Sequence, residues 1–377
     1  MLCDKEVFIM MKFNCEKHIL QEAVNIASRA VSPRSALPVL EGILLEANGD
    51  TLKLTGYDLK KGVFTTCDCT TAAAGSAVLN AKLLSEIVRS MPDGLVSITV
   101  DDNIAIIRCG KAEYTIPSMQ ARDFPELPEF EEDRSFSMDQ GLLKTMIGET
   151  IFAVSDSESR PVYMGTLFKI EDGILTMVSV DGYRLALRKE EIAGADVDKF
   201  IVPGSALADV ERICKDNEEQ VHISLSPKHI FFEIGDTSII SRRLEGEFLN
   251  YKSAIPEKFR YEVVVDRREM LQAVSRVALI VDDKTRVPIR LTLADGSIDI
   301  HCATAIGSGV DSCLCEGNGG GTEIGFNHKY LTDALKAAPA DEIKVCINTG
   351  SAPCVIKAAD NDDSFTYLVL PIRLRNE

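Results

Sequence analysis

The residues best suited to chemistry are the cysteines. There are eleven, at Cys3, Cys15, Cys67, Cys69, Cys109, Cys214, Cys302, Cys313, Cys315, Cys346 and Cys354. Their odd number and scattered spacing do not make a disulfide framework. Cys67/Cys69 and Cys313/Cys315 are C-x-C pairs, not the C-x-x-C of a zinc knuckle or redox dithiol. They read as free thiols, buried or half-buried, in a reducing compartment. The five histidines (18, 222, 229, 301 and 328) have no carboxylate or cysteine pattern around them that suggests a metal site, so neither a metal nor any other cofactor is expected. Asp58 and Asp181 occupy equivalent positions in an internal repeat and resemble paired carboxylates. Nothing beside either supplies a nucleophile, base or metal partner, so each reads as a turn residue. No G-x-x-x-x-G-K-[ST] or G-x-S-x-G motif is present. Catalysis is therefore not the expected activity.

The elements that carry these residues recur three times. A strand–turn–strand pattern appears at residues 44–54 around Asn48-Gly49, at 168–177 around Asp172-Gly173, and at 291–300 around Asp295-Gly296. The glycines are spaced 124 and 123 residues apart. Such dipeptides between alternating strands predict hairpins with type I′ turns. In a second register, Asn80, Pro203 and Asn327 each precede a helical pattern. Leu83, Leu84, Ile87, Val88 and Met91 repeat the offsets of Tyr330, Leu331, Ala334, Leu335 and Ala338, one face of a helix. In a third, strands ending near Phe13, Phe136 and Val263 lead to Glu16, Asp139 and Asp266, each placed to cap a helix. Alternating strands Val96-Ile98-Val100, Val221-Ile223-Leu225 and Ile343-Val345-Ile347 come later in each unit.

Each unit of about 120 residues thus has two amphipathic helices and many antiparallel strands, an α+β class with helices on one face of the sheets. Boundaries fall at Asp123-Phe124-Pro125-Glu126-Leu127-Pro128, with its acidic continuation to residue 133, and near Ile255-Pro256-Glu257-Lys258. This gives an extension at 1–11 and domains at 12–134, 135–256 and 257–377. Neighbouring units are expected to share edge strands and form an arc. Residues 1–11 lack the basic and long apolar regions of a signal peptide. No apolar run approaches the ~20 residues of a membrane span, and no membrane partner is expected.

The chain of 377 residues carries 41 basic and 58 acidic side chains, a net charge of −17. That argues against a protein gripping nucleic acid with its whole outer surface. The predicted helices 16–31, 81–90, 139–153, 204–215, 266–280 and 327–338 nevertheless sum to +2, leaving −19 for the rest. If the helices share one surface, that surface faces phosphates weakly, without a base-reading pattern. A peptide-binding scaffold that ignores DNA remains the alternative at this level.

Several segments together resemble the bacterial DNA polymerase III beta subunit family. They are Leu37-Pro38-Val39-Leu40, Leu52-Lys53-Leu54-Thr55-Gly56-Tyr57-Asp58-Leu59, Asp123-Phe124-Pro125, Val180-Asp181-Gly182-Tyr183-Arg184-Leu185-Ala186, Ile324-Gly325-Phe326-Asn327 and Tyr367-Leu368-Val369-Leu370-Pro371-Ile372-Arg373-Leu374. The likeness runs from about Met11 to Leu374. It implies a non-catalytic, cytoplasmic processivity factor at replication forks. Three clamp domains per chain would place sheets outside and two helices each around a central hole. A head-to-tail homodimer would make a six-domain ring around duplex DNA without sequence preference. Implied partners are the polymerase III alpha subunit, clamp-loader subunits, other polymerases and repair proteins, held through short linear peptides.

The resemblance also implies sites. The peptide cleft carries over onto Tyr163, Val180, Gly182, Tyr183, Arg184, Leu185, Leu249, Asn327, Tyr330, Leu368, Val369, Leu370, Pro371, Ile372, Arg373 and Leu374. DNA-facing candidates are Arg34, Lys82, Arg89, Arg160, Arg212, Lys215, Arg267, Arg268 and Lys336. The dimer contact would set Tyr114 and Ile116 against Leu279 and Ile280. Leu249 stands where many members have Pro and Tyr183 where many have His, which implies an altered preference among partner motifs. The tail Arg375-Asn376-Glu377 is expected to border the cleft.

Overall fold

The computed structural model describes residues 9–129, 131–192, 199–281, 287–360 and 362–374. Most of the expected extension and the tail 375–377 lie outside the described residues. Among the described residues there are seven α-helices: α1 Lys17–Ala27, α2 Ala81–Ser90, α3 Gln140–Gly148, α4 Gly204–Ile213, α5 Tyr251–Ala254, α6 Arg267–Ala278 and α7 His328–Ala337. The chain divides into two compact units, residues 1–140 with 212–242, and residues 141–211 with 243–377. The second repeat contributes strands to both.

The first unit is built on a 13-stranded antiparallel sheet. Strand Lys61–Asp68 pairs on one side with Thr51–Tyr57 of its own repeat. On the other side it pairs with Thr237–Arg242 of the second repeat, Thr65 opposite Thr237. Inward positions of α1 (Leu20, Ala23, Val24, Ala27) and α2 (Leu84, Ile87, Val88) bury against Leu45, Leu52, Leu54, Val96 and Ile98. At about 25 cal/mol per Å² of apolar surface removed from water, this face stabilises both helices. Leu83, expected on that face, is exposed instead.

The second unit carries a 10-stranded sheet. Strand Arg184–Glu191 of the second repeat pairs antiparallel with Phe365–Val369 of the third, Arg188 opposite Phe365. Edge strands are therefore shared across both repeat junctions, as expected. Met270, Ala273, Val274 and Val277 of α6 and Leu331, Ala334 and Leu335 of α7 fill the core of the third repeat. Arg188 ties the junction. Its guanidinium donates to Glu149 Oε2 at 2.5 Å, to the carbonyls of Lys189 and Ser364 at 2.6 and 3.0 Å, and to Glu190. Burial raises the Glu149 carboxyl pKa even though Arg188 opposes the rise.

Local expectations divide on chemistry. Asp266 caps α6, its Oδ1 accepting from the Glu269 amide at 2.7 Å, and Asn80 caps α2 through the Leu83 amide at 3.0 Å. Glu16 makes no capping bond; its longer side chain lacks the short reach of Asp or Asn. Asp139 accepts from the Gln220 side chain. Helix α3 stops at Gly148, short of the expected 153. There Thr150 turns its hydroxyl onto the Met146 carbonyl at 2.7 Å.

The three turns also differ. Asp172 and Gly173 both have positive φ (54° and 77°), as a type I′ turn requires. In the first copy Asn48 stays in the ladder opposite Thr51, and only Gly49 of the Gly49-Asp50 loop has positive φ, which excludes type I′. In the third copy no separate hairpin strands are assigned. Ile289–Thr304 is one strand, and its register against Gly307–Phe326 shifts on either side of Asp295, which stays paired with Asn318.

Candidate partner-binding cleft and charged surfaces

The cleft candidates gather in the second unit around the turn that follows strand Ile174–Val180. Asp181 Oδ1 accepts from the backbone N–H groups of Tyr183 and Arg184 at 2.8 and 2.9 Å. Gly182, at φ 94°, makes the bend that lets one carboxylate reach both. The other oxygen, Oδ2, accepts from Arg184 Nε at 3.0 Å, and Arg184 Nη1 donates to Asp333 Oδ2 of α7 at 2.6 Å. The guanidinium lies 4.6 Å from the Tyr330 ring centroid and 5.5 Å from that of Phe152. Tyr183, 61% exposed, stacks on Tyr330 with centroids 6.0 Å apart and planes 21° apart. One arginine thus fixes an aromatic pair whose outer ring faces solvent.

Beside this pair lies an apolar floor. Val180, Leu185 and Leu368 pack with Leu167, Val178, Tyr251 and Val355, and half-buried Tyr163, Phe248, Leu244 and Leu370 close over them. Tyr163 meets Phe248 edge to face at 5.8 Å. The C-terminal segment is held by backbone bonds: Leu370 N–H donates to the Tyr183 carbonyl and Ile372 N–H to that of Gly325, both at 2.8 Å. Gly325 is required there, because a Cβ would sit 2.7 Å from the Ile372 carbonyl and from Leu374 Cδ2. Asn327 caps α7 through the Lys329 amide at 2.9 Å. Leu249 and Arg373 are exposed, and Pro371 is half-buried.

One expected cleft residue points elsewhere. Val369 is fully buried in the opposite core, with Tyr367 and Phe365, because side chains alternate across a strand and Leu368 takes the cleft side. Phe152, Asp333, Leu244 and Phe248 belong to the site but were absent from the sequence expectations. Phe248 and Leu249 stand 124 residues after Phe124 and Pro125, a repeat signal that marks the segment.

Of the basic candidates in the first unit, Arg34, Lys82, Arg89, Arg212 and Lys215 are exposed. In the second, Arg160, Arg268 and Lys336 are exposed; Arg160 lies 5.6 Å from the Tyr163 ring and Arg268 is 3.3 Å from Asp341. Arg89, Arg212 and Lys336 sit in last turns, where a cation also complements the helix dipole. Arg267 is a correction. Only 15% of its side chain is exposed, and its guanidinium donates to the carbonyls of Ala340 (2.8 Å) and Leu335 (3.1 Å). It satisfies the Leu335 carbonyl in the last turn of α7 and the Ala340 carbonyl just beyond the helix instead of facing solvent.

The proposed dimer residues divide similarly. Leu279 is 83% exposed at the end of α6, and Ile306, Val310 and Leu314 of the same unit are nearly as bare. Tyr114 is exposed, but Ile116 is 6% exposed and lies in the first core. Ile280 is partly covered by the third repeat's core. Among the described residues, no group of His, Cys, Asp and Glu could hold a metal ion, and no helix is long and apolar enough to cross a membrane.

Three profiles match the chain in tandem: the DNA polymerase III beta subunit N-terminal domain at residues 11–128, its central domain at 137–250, and its C-terminal domain at 252–373. The beta sliding clamp of Bacillus subtilis (strain 168) is 33% identical over 377 residues, covering 96% of this chain and 100% of the relative. A crystal structure of the B. subtilis DNA polymerase sliding clamp superimposes with a TM-score of 0.91, at 33% identity, over 97% of this chain and 100% of that one. A Pseudomonas aeruginosa sliding clamp bound to griselimycin gives 0.89 at 30% identity, over 97% and 100%.

Proposed function

The chain belongs to the DNA polymerase III beta subunit family, the sliding clamps, and from that membership we propose how its surfaces divide the work. The protein is a DNA sliding clamp and a processivity factor, not an enzyme. Two copies join head to tail into a ring. Its mildly basic helices face duplex DNA, and its acidic remainder faces outward. Retention is topological, so weak phosphate contact is an advantage: tight contacts would oppose sliding. The exposed cations Arg34, Lys82, Arg89, Arg160, Arg212, Lys215, Arg268 and Lys336 lower the energy of nearby DNA without reading bases. The domain limits 12–134, 135–256 and 257–377 describe the modules of this ring.

Leu279, with Tyr114 of the second copy, supplies the apolar contact of the dimer, and the exposure of both supports that reading. The cleft of Tyr183, Arg184, Tyr330, Val180, Leu185 and Leu368 captures short linear peptides of the polymerase III alpha subunit, clamp-loader subunits, other polymerases and repair proteins. The observation that carries the cleft is its construction: an apolar floor beside an exposed aromatic pair, pinned by one arginine and edged by the C-terminal segment.

The experiment is primer extension on a primed single-stranded circle with polymerase and clamp loader. Wild-type protein is expected to lengthen products. Truncation after Val369 is expected to abolish that stimulation while the dimer survives in sedimentation. Stimulation that survives the truncation contradicts the cleft assignment.

A further inference from the structure

Where the second repeat joins the first, the first unit holds a cavity of about 790 Å³, within the ~300–1,000 Å³ of ligand pockets. One wall is a stripe of α1: Ile19, Glu22, Ala23 and Ile26 follow one another at three- and four-residue intervals and share a face. Another is the ladder that joins the repeats. There Thr65 Oγ1 and Thr237 Oγ1 lie 2.9 Å apart, and the Thr66 N–H donates to the Asp236 carbonyl at 3.1 Å. The second repeat adds Ile213, Lys215 and Ile234, and Gln140 opens α3. Two features of this lining call for a ligand. The first is charge: the carboxylates of Glu22, Asp68, Glu219 and Asp236 meet a single ammonium, that of Lys215. All four acids are exposed, and among the described residues none is held in a salt bridge. The second is Gln140, only 2% exposed. Its Oε1 accepts from the Lys215 amide at 3.1 Å, which fixes the orientation of the side chain. Its NH2 has no acceptor among the described residues and is left to whatever enters the cavity. A buried amide donor without an acceptor is costly, and a ligand carbonyl would relieve that cost.

We propose that this cavity is a second docking site, for a short linear segment of a partner protein that alternates basic and aliphatic side chains. The basic side chains meet Glu22, Asp68, Glu219 and Asp236. The aliphatic ones lie against Ile19, Ile26, Ile213 and Ile234. A backbone carbonyl of the segment accepts from the Gln140 NH2, a contact that a peptide offers and a fully protonated polyamine does not. An acidic peptide or a phosphate is repelled by the same four carboxylates. The site differs in chemistry from the peptide cleft of the second unit, whose exposed feature is the Tyr183–Tyr330 pair over Arg184. It also depends on the junction: without the pairing of Lys61–Asp68 with Thr237–Arg242, Asp236 and Thr237 would not reach the first repeat. Attraction between exposed acids and a basic segment is screened by salt, so the docking is salt-sensitive.

The test is fluorescence anisotropy of the full chain with a fluorescein-labelled, N-acetylated and C-amidated hexapeptide of alternating lysine and leucine. Saturable binding that weakens with added salt is expected; no saturable binding overturns the proposal. Glu22→Gln combined with Asp236→Asn should weaken binding about tenfold. Gln140→Glu keeps an acceptor for the Lys215 amide but replaces the donor, so binding should fall although the cavity gains negative charge. Unchanged or tighter binding in either variant overturns the proposal. Tyr183→Ala should bind the probe as tightly as the wild type; loss there would move the probe to the cleft and overturn a separate site. A lysine–glycine peptide should bind more weakly, and spermidine at matched charge should not displace the probe. Equal binding of the first, or displacement by the second, would reduce the site to charge alone and overturn the peptide assignment. Glu22 and Asp236 are exposed, so a poorly folded Gln140→Glu does not blunt the test.

Discussion

Arg184 serves two carboxylates and two aromatic rings at once, which makes it the most informative side chain to remove. Arg184→Ala leaves Asp181 and Asp333 without their cation and removes the support under Tyr330. We expect a loss of about 2 kcal/mol in chemical denaturation and at least about tenfold weaker binding of a partner peptide by fluorescence anisotropy. Tyr183→Ala separates the two effects: stability should stay within about 0.5 kcal/mol because the ring is exposed, while peptide affinity falls. Equal affinity in that variant would remove Tyr183 from the site. His229 carries a pH signature. Burial, then Arg242 and Lys228, hold its pKa below the usual 6.5. The unfolded chain therefore takes the proton more readily, and stability falls as pH drops below about 6.5. His229→Gln should flatten that part of a urea-midpoint profile between pH 5 and 8. The family resemblance, and not residue type or spacing, made Tyr183, Arg184, Leu185 and Tyr330 legible as a group. It could not reveal that Val369 faces the other core, that Ile116 is buried, or that Arg267 bonds to carbonyls of the chain at the end of α7. Those depend on strand phase and on which helix ends meet.

Helices and turns follow the same logic one level up. The apolar offsets of α2 and α7 were readable because a helical face repeats with its own period. The caps were only partly so, since an acid before a helix is not yet a bond. Asp266→Ala, which removes a 2.7 Å cap, should cost about 1 kcal/mol. Glu16→Ala, which removes none, should lie within about 0.5 kcal/mol in the same denaturation assay. Matched losses would mean that the N-terminal acids act through charge alone. The third Asp-Gly shows the limit of turn chemistry. Its glycine keeps a φ of 76°, but Asp295 stays paired with Asn318, so a local dipeptide signal does not decide where a ladder ends.

At the scale of the molecule, shared edge strands join repeat to repeat, Thr65 opposite Thr237 and Arg188 opposite Phe365. The same continuity makes the middle repeat contribute to both compact units, which a repeat period alone could not disclose. We propose the bare Leu279 as the place where a second copy attaches. Leu279→Asp should shift sedimentation from a dimer toward the 41.3 kDa chain, because an apolar contact does not tolerate an unpaired charge. A variant that remains dimeric would move the interface elsewhere. Enclosure is tested most directly by loading the protein onto nicked circular duplex with a clamp loader and then cutting the DNA once. Enclosure predicts retention through gel filtration on the circle and loss after the cut, when the protein slides off the free ends. Equal retention on circular and linear DNA would contradict it.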